Sequence, residues 1–411
     1  MKINKHCFPN GLRLVHYEDT STQMVALNIV YDVGARDEHP EHTGFAHLFE
    51  HLMFGGSAHI PDYDTPLQLA GGENNAWTNN DITNYYLTVP KPNVETAFWL
   101  ESDRMLELAF SEQSLEVQRG VVMEEFKQRC LNQPYGDVGH LFRPLAFRVH
   151  PYRWPTIGKE LSHIEQATLD EVKSFFYRFY APNNAVLAVT GNISWGETVK
   201  LTEKWFAPIP RRDVPVRQLP QEPEQTQERR LTVERNVPLD ALFMGYHMCS
   251  REGADYYAFD ILSDILSNGR SSRLNRRLVQ EQNIFSGIDA YISGTRDAGL
   301  LQISGKPAAG VSLEQAEAAV RKELEELQRS PVDGQELEKV KNKFESTQIF
   351  GNINYLNVAT NLAWFELTGK AEDIDLEVER YRSVTTEQLH TVAQRTFCES
   401  NAVVLYYKSD K

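Results

Sequence analysis

Short apolar runs alternate along the chain with longer segments in which apolar residues recur every three or four positions. Buried strands are predicted at MVALNIVYDVG, NYYLTVP and NAVLAVTG. Amphipathic helices are predicted at about 92–108, 112–130 and 312–329. Both halves of the chain mix strands with helices, which favours an antiparallel or mixed sheet layered with helices. The predicted fold class is therefore α+β.

The two halves of the chain resemble each other in sequence. TLDEVKSFFYRFYAPNNAVLAV (168–189) aligns without a gap on TTEQLHTVAQRTFCESNAVVLY (385–406), in each case as a helix, a turn and a strand. Near the same offset, AHLFEHLMFGGS (46–57) aligns on FDILSDILSNGR (259–270). The period is too long for a solenoid, so we predict one α+β domain that occurs twice.

A polar stretch separates the two copies. Residues 208–230 are rich in Pro, Gln and charge and show no apolar periodicity, which is typical of a linker. We predict an N-terminal domain over 1–210, a linker over 211–229 and a homologous C-terminal domain over 230–411.

Composition narrows the classes of partner. The net charge of −15 argues against nucleic acid and against an anionic membrane, because both attract basic surfaces. No apolar run approaches the length of a membrane span, and the first residues lack the apolar stretch of a signal peptide. The four cysteines form no Cys-x-x-Cys pair, which fits a reducing compartment. We expect a cytoplasmic protein, or a periplasmic one if an export signal has been removed.

Three ionisable residues interrupt an otherwise apolar helix in GFAHLFEHLMFGG (44–56). His47, Glu50 and His51 share one narrow stripe of that helix, because positions i, i+3 and i+4 project from the same face. Burying such groups without partners would cost several kcal/mol. They are therefore either core histidines bonded to backbone carbonyls, with Glu50 capping one of them, or ligands of a divalent metal.

Two histidines supply only two ligands, and the segment EQSLEVQRGVVMEEFKQR (112–129) offers an acid as the third. At 100° per residue, the apolar arc of this helix extends from Val121 to about 140°, and Glu125 falls at about 40°, inside the arc. A carboxylate in that position needs a cation. Periodicity does not decide between a metal and an ion pair with Arg129 one turn later.

The order His47-Leu-Phe-Glu50-His51, followed by Glu125, resembles the inverted zinc motif (His-x-x-Glu-His) of the pitrilysin (M16) metallopeptidases. The resemblance covers nearly the whole chain. It extends to NGLRLV, AGGENNAWTNNDITNYYLTVP, EVQRGVVMEEF, FYAPNNAVLAVTGN and SNGRSSRLNRRLV. It implies the pitrilysin/LuxS-like α+β fold, and the chain length is similar to that of short-chain, processing-peptidase-like members, whose active particle needs two polypeptides.

The resemblance also implies an activity. His47, His51 and Glu125 would hold one zinc ion per chain, and Glu50 would be the general base of a metalloendopeptidase. Zinc lowers the pKa of water toward 7 and polarises a carbonyl, which suits hydrolysis of internal bonds in unfolded or short peptides.

The segment GGENNAWTNND (71–81) has two interpretations. Taken alone it is a Gly/Asn-rich turn that leads into a strand. The resemblance instead places Asn75 and Ala76 on an exposed sheet edge inside an enclosed chamber, where a substrate peptide adds as a strand and specificity is broad.

One position near the predicted ligands departs from the family pattern. Gln118 stands where the family commonly has a second Glu. It shares the helix face of Glu125 and can hydrogen-bond a ligand, but it supplies no charge.

The second copy differs from the first at the same places. Asp260, Ser263 and Asp264 align with the two histidines and Glu50 of the first copy. Active relatives usually carry an Arg and, seven residues later, a Tyr that hold the substrate, and here those positions are Val279 and Ser286.

Nearby residues do not replace that pair readily. Arg276, Arg277 and Tyr291 lie two or more residues out of register, and the directions of helix and strand side chains disfavour such a shift. Either this branch does without the pair, or a homologous subunit that carries the Arg and Tyr provides it. We therefore expect a homodimer in the first case and a heterodimer with such a subunit in the second.

Two non-enzymatic hypotheses remain. The family includes structural subunits that have lost the metal set, but here the complete set of two His and two Glu is present. A metal storage or sensor protein would carry extra Cys or His ligands, and none lies near the motif.

Overall fold

The computed structural model describes residues 1–410, which form eleven strands and fourteen α-helices, numbered here in chain order. The strands are β1 Ile3–Cys7, β2 Arg13–Glu18, β3 Met24–Tyr31, β4 Glu73–Thr78, β5 Thr83–Pro90, β6 Ala185–Gly191, β7 Arg229–Arg235, β8 Ala241–His247, β9 Phe285–Ile292, β10 Leu300–Pro307 and β11 Ala402–Ser409. The helices are α1 Phe45–Leu52, α2 Asp64–Leu69, α3 Val94–Leu106, α4 Glu112–Phe126, α5 Val138–Ala146, α6 Leu161–Glu165, α7 Leu169–Phe179, α8 Trp195–Trp205, α9 Tyr256–Ser267, α10 Leu313–Arg329, α11 Gly334–Gly351, α12 Tyr355–Thr368, α13 Glu377–Ser383 and α14 Thr386–Thr396. The predicted strands and helices are all present, within a few residues of their expected bounds.

The chain divides into two compact units, each built on one sheet. Unit 1 has six strands in the order β1-β2-β6-β3-β5-β4, and unit 2 has five in the order β7-β11-β8-β10-β9. One pair in each sheet is parallel, β2 with β6 and β7 with β11, and the other pairs are antiparallel. The predicted α+β class with two mixed sheets is confirmed.

Both faces of the unit 1 sheet are buried, which explains why its central strands are apolar at every position. Leu27 and Ile29 of β3 pack in the larger core with α1, α3 and α7. Their neighbours Ala26 and Val30 point to the opposite face and pack on α12. Alternate side chains of one strand therefore belong to two different cores, as the two-residue period of a strand requires.

Two helices cover the sheet of the other sequence half. Helix α5 lies early in the sequence but packs on β7, β8 and β11 of unit 2. Helix α12 lies late in the sequence but packs on β2, β3 and β6 of unit 1. Unit 1 consequently combines Met1–Arg129, Trp154–Leu219 and Ile349–Leu376, and unit 2 contains the remainder. The sequence predicted continuous domains over 1–210 and 230–411; the structure instead exchanges two segments, because each open sheet face is covered by a helix from the other half.

The predicted linker, 211–229, contains no helix and only the first residue of a strand, and both of its ends are anchored. In unit 1, Arg212 donates to the backbone oxygen of Leu106 at 2.6 Å, and Arg217 pairs with Asp37 at 2.6 Å. In unit 2, the carboxylate of Glu222 accepts three successive backbone N–H groups from residues 148–150. The linker is therefore an extended segment held by side chains rather than a free coil.

The internal duplication is visible in the elements themselves. Helix α7 and strand β6 have the same order and lengths as α14 and β11, apart from one residue in the strand. Helix α1 corresponds to α9 in the second alignment. No helix within residues 1–410 is both long enough and apolar enough to cross a bilayer.

The exchange of helices can be tested with one buried leucine. Leu362 of α12 is fully buried against the unit 1 sheet. We expect Leu362→Ala to destabilise unit 1 by about 2–5 kcal/mol, because it leaves a cavity under β3 and β6. Hydrogen exchange should accelerate at the amides of β3 and β6 and not at those of β8 and β11. The exposed Val216→Ala is the control, and faster exchange confined to β8 and β11 would contradict the assignment of α12.

Candidate metal centre

Helix α1 is short, apolar and almost fully enclosed. It begins after Gly44, whose φ of +87° lies in the left-handed region that favours glycine. A Cβ at Gly44 would lie 2.6 Å from the side chain of Ile164, so the position is also sterically restricted to glycine. Phe45, Leu48 and other residues around the helix are buried, which leaves the stripe of His47, Glu50 and His51 as its polar face.

Helix α4 packs against α1 and presents Glu125 to that stripe. Its Ser111 caps the first turn by accepting from the backbone of Ser114. The hydroxyl of Ser114 in turn donates to the backbone oxygen of Gly55 at 3.1 Å, which joins α4 to the turn that follows α1. Leu115, Val122 and Phe126 are the buried residues of α4.

The three predicted ligands come together. Nε2 of His47 lies 3.6 Å from Oε2 of Glu125, and Nε2 of His51 lies 3.4 Å from the same oxygen. One ligand atom from each residue lies within 4.8 Å of the other two. Tetrahedral zinc with bonds near 2.0–2.1 Å separates its ligand atoms by about 3.3–3.4 Å, so the spacing and the His₂Glu donor set fit one such ion.

The sequence left open whether Glu125 binds a metal or pairs with Arg129, and its two carboxylate oxygens allow both. Its Oε2 faces the two histidines, while its Oε1 accepts from Arg129 at 2.8 Å. The side chain of Arg129 is two-thirds exposed, and an ion pair of that kind contributes only a few tenths of a kcal/mol. The arginine therefore orients the carboxylate without occupying the oxygen that points at the histidines.

The imidazole of His47 is held in the neutral form that binds metals. Burial lowers the pKa of His47 to about 4, against the opposing charge of Glu125. The Nδ1 atom of His47 is buried without a hydrogen-bond partner in the part of the chain that the structure describes. Neither imidazole bonds a backbone carbonyl there, so the interpretation as carbonyl-bonded core histidines is wrong. Hydrogen bonding with His51 holds the pKa of the Glu125 carboxyl below its usual range.

Glu50 is not part of the three-residue cluster. It lies three residues after His47 and is half-buried, and this burial raises the pKa of its carboxyl. A carboxylate with a raised pKa accepts a proton more readily than an exposed one.

Two expectations for α4 concern the positions of Gln118 and Val121. Gln118 is half-buried and faces the turn at Gly55, and it forms no hydrogen bond with the three clustered side chains within residues 1–410. Val121 was expected inside the buried arc, but it is 46% exposed. The buried arc is narrower than the helical wheel indicated, because α1 and α6 cover only one side of α4.

The segment 71–81 contains a strand, so its interpretation as a turn is wrong. Within residues 1–410, strand β4 pairs only with β5 and forms an edge of the unit 1 sheet, next to α1. Asn75 is exposed and Ala76 half-buried on this edge, and the amide N–H of Ala76 donates to the side-chain oxygen of Asn75 at 2.8 Å. The predicted position of both residues at an open sheet edge is confirmed, while their contact with substrate stays a prediction.

The sequence analysis missed one buried acid beside the motif. Glu38 is fully buried, and its carboxylate accepts from the backbone of Gly44 and Ala46 at the start of α1. The available signal was Gly44 itself: a glycine at a helix start has no side chain to cap the helix, so another residue must do so.

Two family models match the chain. The model described as insulinase (peptidase family M16) matches residues 13–137, and the model described as peptidase M16 inactive domain matches residues 166–344. The chain belongs to the M16 peptidase family.

Full-length relatives within M16 carry zinc-protease names. The zinc protease PqqE of Helicobacter pylori is 26% identical over 405 residues, which cover 97% of this chain and 91% of PqqE. The uncharacterized zinc protease YmxG of Bacillus subtilis is 24% identical over 98% of each chain. A crystal structure of a Helicobacter pylori protease superposes with a TM-score of 0.94 at 26% identity, covering 99% of both chains. Pitrilysin, at 17% identity and a TM-score of 0.79, shares the fold over 99% of this chain and 45% of its own.

The second M16 half keeps the helix but uses its polar residues for packing. In α9, Asp260 bonds the hydroxyl of Tyr381, Ser263 donates to the backbone of Asp260, and Asp264 accepts from Asn268. All of these contacts lie within unit 2, and metal-ligand geometry within residues 1–410 is found only at the first-half cluster.

The residues at the positions where active relatives carry Arg and Tyr also make contacts within unit 2. Val279 packs on the unit 2 core, and the hydroxyl of Ser286 donates to the backbone oxygen of Lys306. Arg276 and Arg277, the nearest basic residues, are engaged in ion pairs with glutamates of the same unit.

The cluster predicts metal binding that depends on each ligand. We expect the purified chain to hold about one zinc ion, and His51→Ala and Glu125→Gln to lose it, because two remaining ligands do not retain zinc. His59→Ala, which removes another unit 1 histidine paired with Asp103, is the matched control. Elemental analysis after dialysis measures the content, and equal zinc in the wild type and His51→Ala would contradict the assignment.

Proposed function

We propose that the chain is a zinc-dependent endopeptidase that hydrolyses unfolded or short peptides. The observation that carries the proposal is the approach of the His47 and His51 imidazoles to within 3.4–3.6 Å of the Glu125 carboxylate, with Glu50 on the same helix as the two histidines. The zinc-protease names of the full-length relatives support it.

The three clustered side chains would hold the ion through two imidazole nitrogens and one carboxylate oxygen. Bound zinc would polarise the scissile carbonyl and lower the pKa of the attacking water toward 7. Two neutral imidazoles and one carboxylate leave the centre with a net charge of +1, which suits the negative charge that develops on the carbonyl oxygen.

Glu50 is the proposed general base. Its carboxylate takes a proton from the attacking water and delivers it to the nitrogen of the leaving amine. The raised pKa of this carboxyl matches the role of a base, because the carboxylate then takes a proton from water more readily.

The open edge of β4 is the proposed substrate site. An extended peptide would pair with the backbone of β4 around Asn75 and Ala76, next to α1. Recognition through the backbone depends little on side chains, so we propose broad specificity. The enclosed chamber around this edge is carried over from the M16 resemblance.

A non-catalytic, structural role is the alternative. It would leave no selection for the ligands or the base, yet His47, His51 and Glu125 stand in a geometry that fits zinc and Glu50 is present on α1. The match of the second half to the M16 inactive domain is compatible with catalysis, because that half is the one without ligands.

We also propose that a homologous second chain completes the enzyme. Val279 and Ser286 cannot donate hydrogen bonds as an Arg and a Tyr do, so this chain lacks the pair that holds the substrate in active relatives. A heterodimer with a homologue that carries the pair would supply it, whereas a homodimer would not.

Replacing the base should separate metal binding from catalysis. We expect Glu50→Gln to retain zinc and to lose hydrolysis of a quenched fluorogenic peptide, because Glu50 is not a ligand but moves the proton. Gln118→Ala, which changes a half-buried neighbour on α4, serves as the control and should keep most of the activity. Cleavage by Glu50→Gln at the wild-type rate would show that another group is the base.

The partner hypothesis predicts a weak isolated enzyme. Loss of groups that stabilise an oxyanion costs about 10²–10³ in rate, so the chain alone should bind zinc but cleave slowly. Adding a zinc-free homologue with the Arg and Tyr should raise kcat/KM by that factor, as measured with size-exclusion chromatography and a peptide assay. A kcat/KM near 10⁴ M⁻¹s⁻¹ or above for the chain alone would refute the requirement for a partner.

A further inference from the structure

Glu38 occupies a fully buried position beside the candidate metal helix. Its Oε2 accepts from the backbone N–H of Gly44 at 3.0 Å and from the indole N–H of Trp154 at 3.2 Å. Its Oε1 accepts from the backbone N–H of Ala46 at 2.9 Å. Ala46 immediately precedes the first predicted ligand, His47.

Helix α1 cannot supply this cap from its own sequence. The residue at its start must be glycine, because of the positive φ and because a Cβ there would meet Ile164 at 2.6 Å and the backbone oxygen of Ile157 at 2.9 Å. Glycine has no side chain to accept the unpaired N–H groups of the first turn. Glu38, six residues earlier in the chain, provides both oxygens instead.

In the part of the chain that the structure describes, the carboxyl of Glu38 has no cationic partner. No Lys, Arg or His side chain within residues 1–410 lies within ion-pair distance of Glu38, and Arg36, the nearest arginine in sequence, pairs with Asp81. Burial raises the pKa of Glu38 to about 8, while the three donors act in the opposite direction. All three partners donate and none accepts, which favours the ionised form. The ionised form of a buried carboxyl without a cation is costly, so a nearby positive charge would stabilise it.

We propose that Glu38 is a positioning residue for the metal centre: its carboxylate fixes the start of α1, and thereby the imidazoles of His47 and His51, against Glu125 of α4. A dication on the same short helix would offset part of the cost of the buried charge. This inference rests on the proposed metal function.

Trp154 connects a third segment of the chain to the contact between Glu38 and the start of α1. Its indole N–H bonds both Glu38 and the backbone oxygen of Ala35, at 3.0 Å. Trp154 is also the residue at which the chain returns to unit 1 after the segment that contains α5. Glu38, which holds the start of α1, therefore depends on Trp154, and Trp154 is in place only when the chain has returned to unit 1 after α5.

The test compares metal affinity with stability. We expect Glu38→Gln to weaken zinc binding about 10–100-fold, as changes behind metal ligands typically do. It should also alter the absorption spectrum of the cobalt-substituted protein, because the ligands would be displaced. Glu38→Asp, which keeps a carboxyl group, should restore part of the affinity. Chelator competition measures the dissociation constant, and the Tm of the metal-free protein is recorded for each variant.

A matched core variant separates positioning from general destabilisation. Leu201→Ala removes buried volume from α8, which packs on α3 and β2 rather than on α1. It should lower the metal-free Tm and leave the zinc affinity and the cobalt spectrum unchanged. If Glu38→Gln does not fold, Trp154→Phe, which removes one donor, should weaken zinc binding by a smaller factor.

The outcomes are distinguishable. If the wild type binds no zinc, or if His51→Ala binds as well as the wild type, the proposed metal function fails. If the wild type binds through its ligands and Glu38→Gln, or Trp154→Phe in its place, shows wild-type affinity and an unchanged cobalt spectrum, Glu38 is only structural and the inference is overturned.

Discussion

The packing of α1 on α4 is the contact on which the candidate site depends. Each helix buries its apolar side in the unit 1 core, so that the polar stripe of one faces Glu125 of the other. The three ligand atoms then meet at the margin of the core, where water is partly excluded and electrostatic interactions are stronger than at the surface. Low dielectric keeps His47 neutral and raises the proton affinity of Glu50, so the same burial that forms the core also prepares the chemistry.

Much of this arrangement could be predicted from local patterns. The apolar runs predicted the central strands correctly, because both faces of their sheet are buried. The spacing of His47, Glu50 and His51 places them on one face of a helix whatever the helix packs against. Glu125 was found because a charge within an apolar arc demands a partner. Each of these inferences uses only residues within a few turns of one another.

What escaped prediction depends on distant contacts. Val121 and Val122 are adjacent and equally apolar, yet only Val122 is buried, because that depends on where α1 and α6 lie. The Asn-rich composition of 71–81 favours a turn in isolation, and pairing with β5 overrides it. Helix α12 has an apolar face, but nothing in its sequence specifies which of two sheets it covers. Glu38 is one acid among many until Gly44 and Trp154 are in place.

The exchange of α5 and α12 has a consequence for biosynthesis. All six strands of unit 1 are complete once residue 191 has been made, but the helix that seals their outer face ends at residue 368. During synthesis, the apolar outer face of the unit 1 sheet stays without its covering helix while most of the remaining chain is translated. Contacts over such long sequence separations form slowly, and exposed sheet surface favours aggregation in the interval. The first half therefore cannot bury this face until most of the second half has been synthesised.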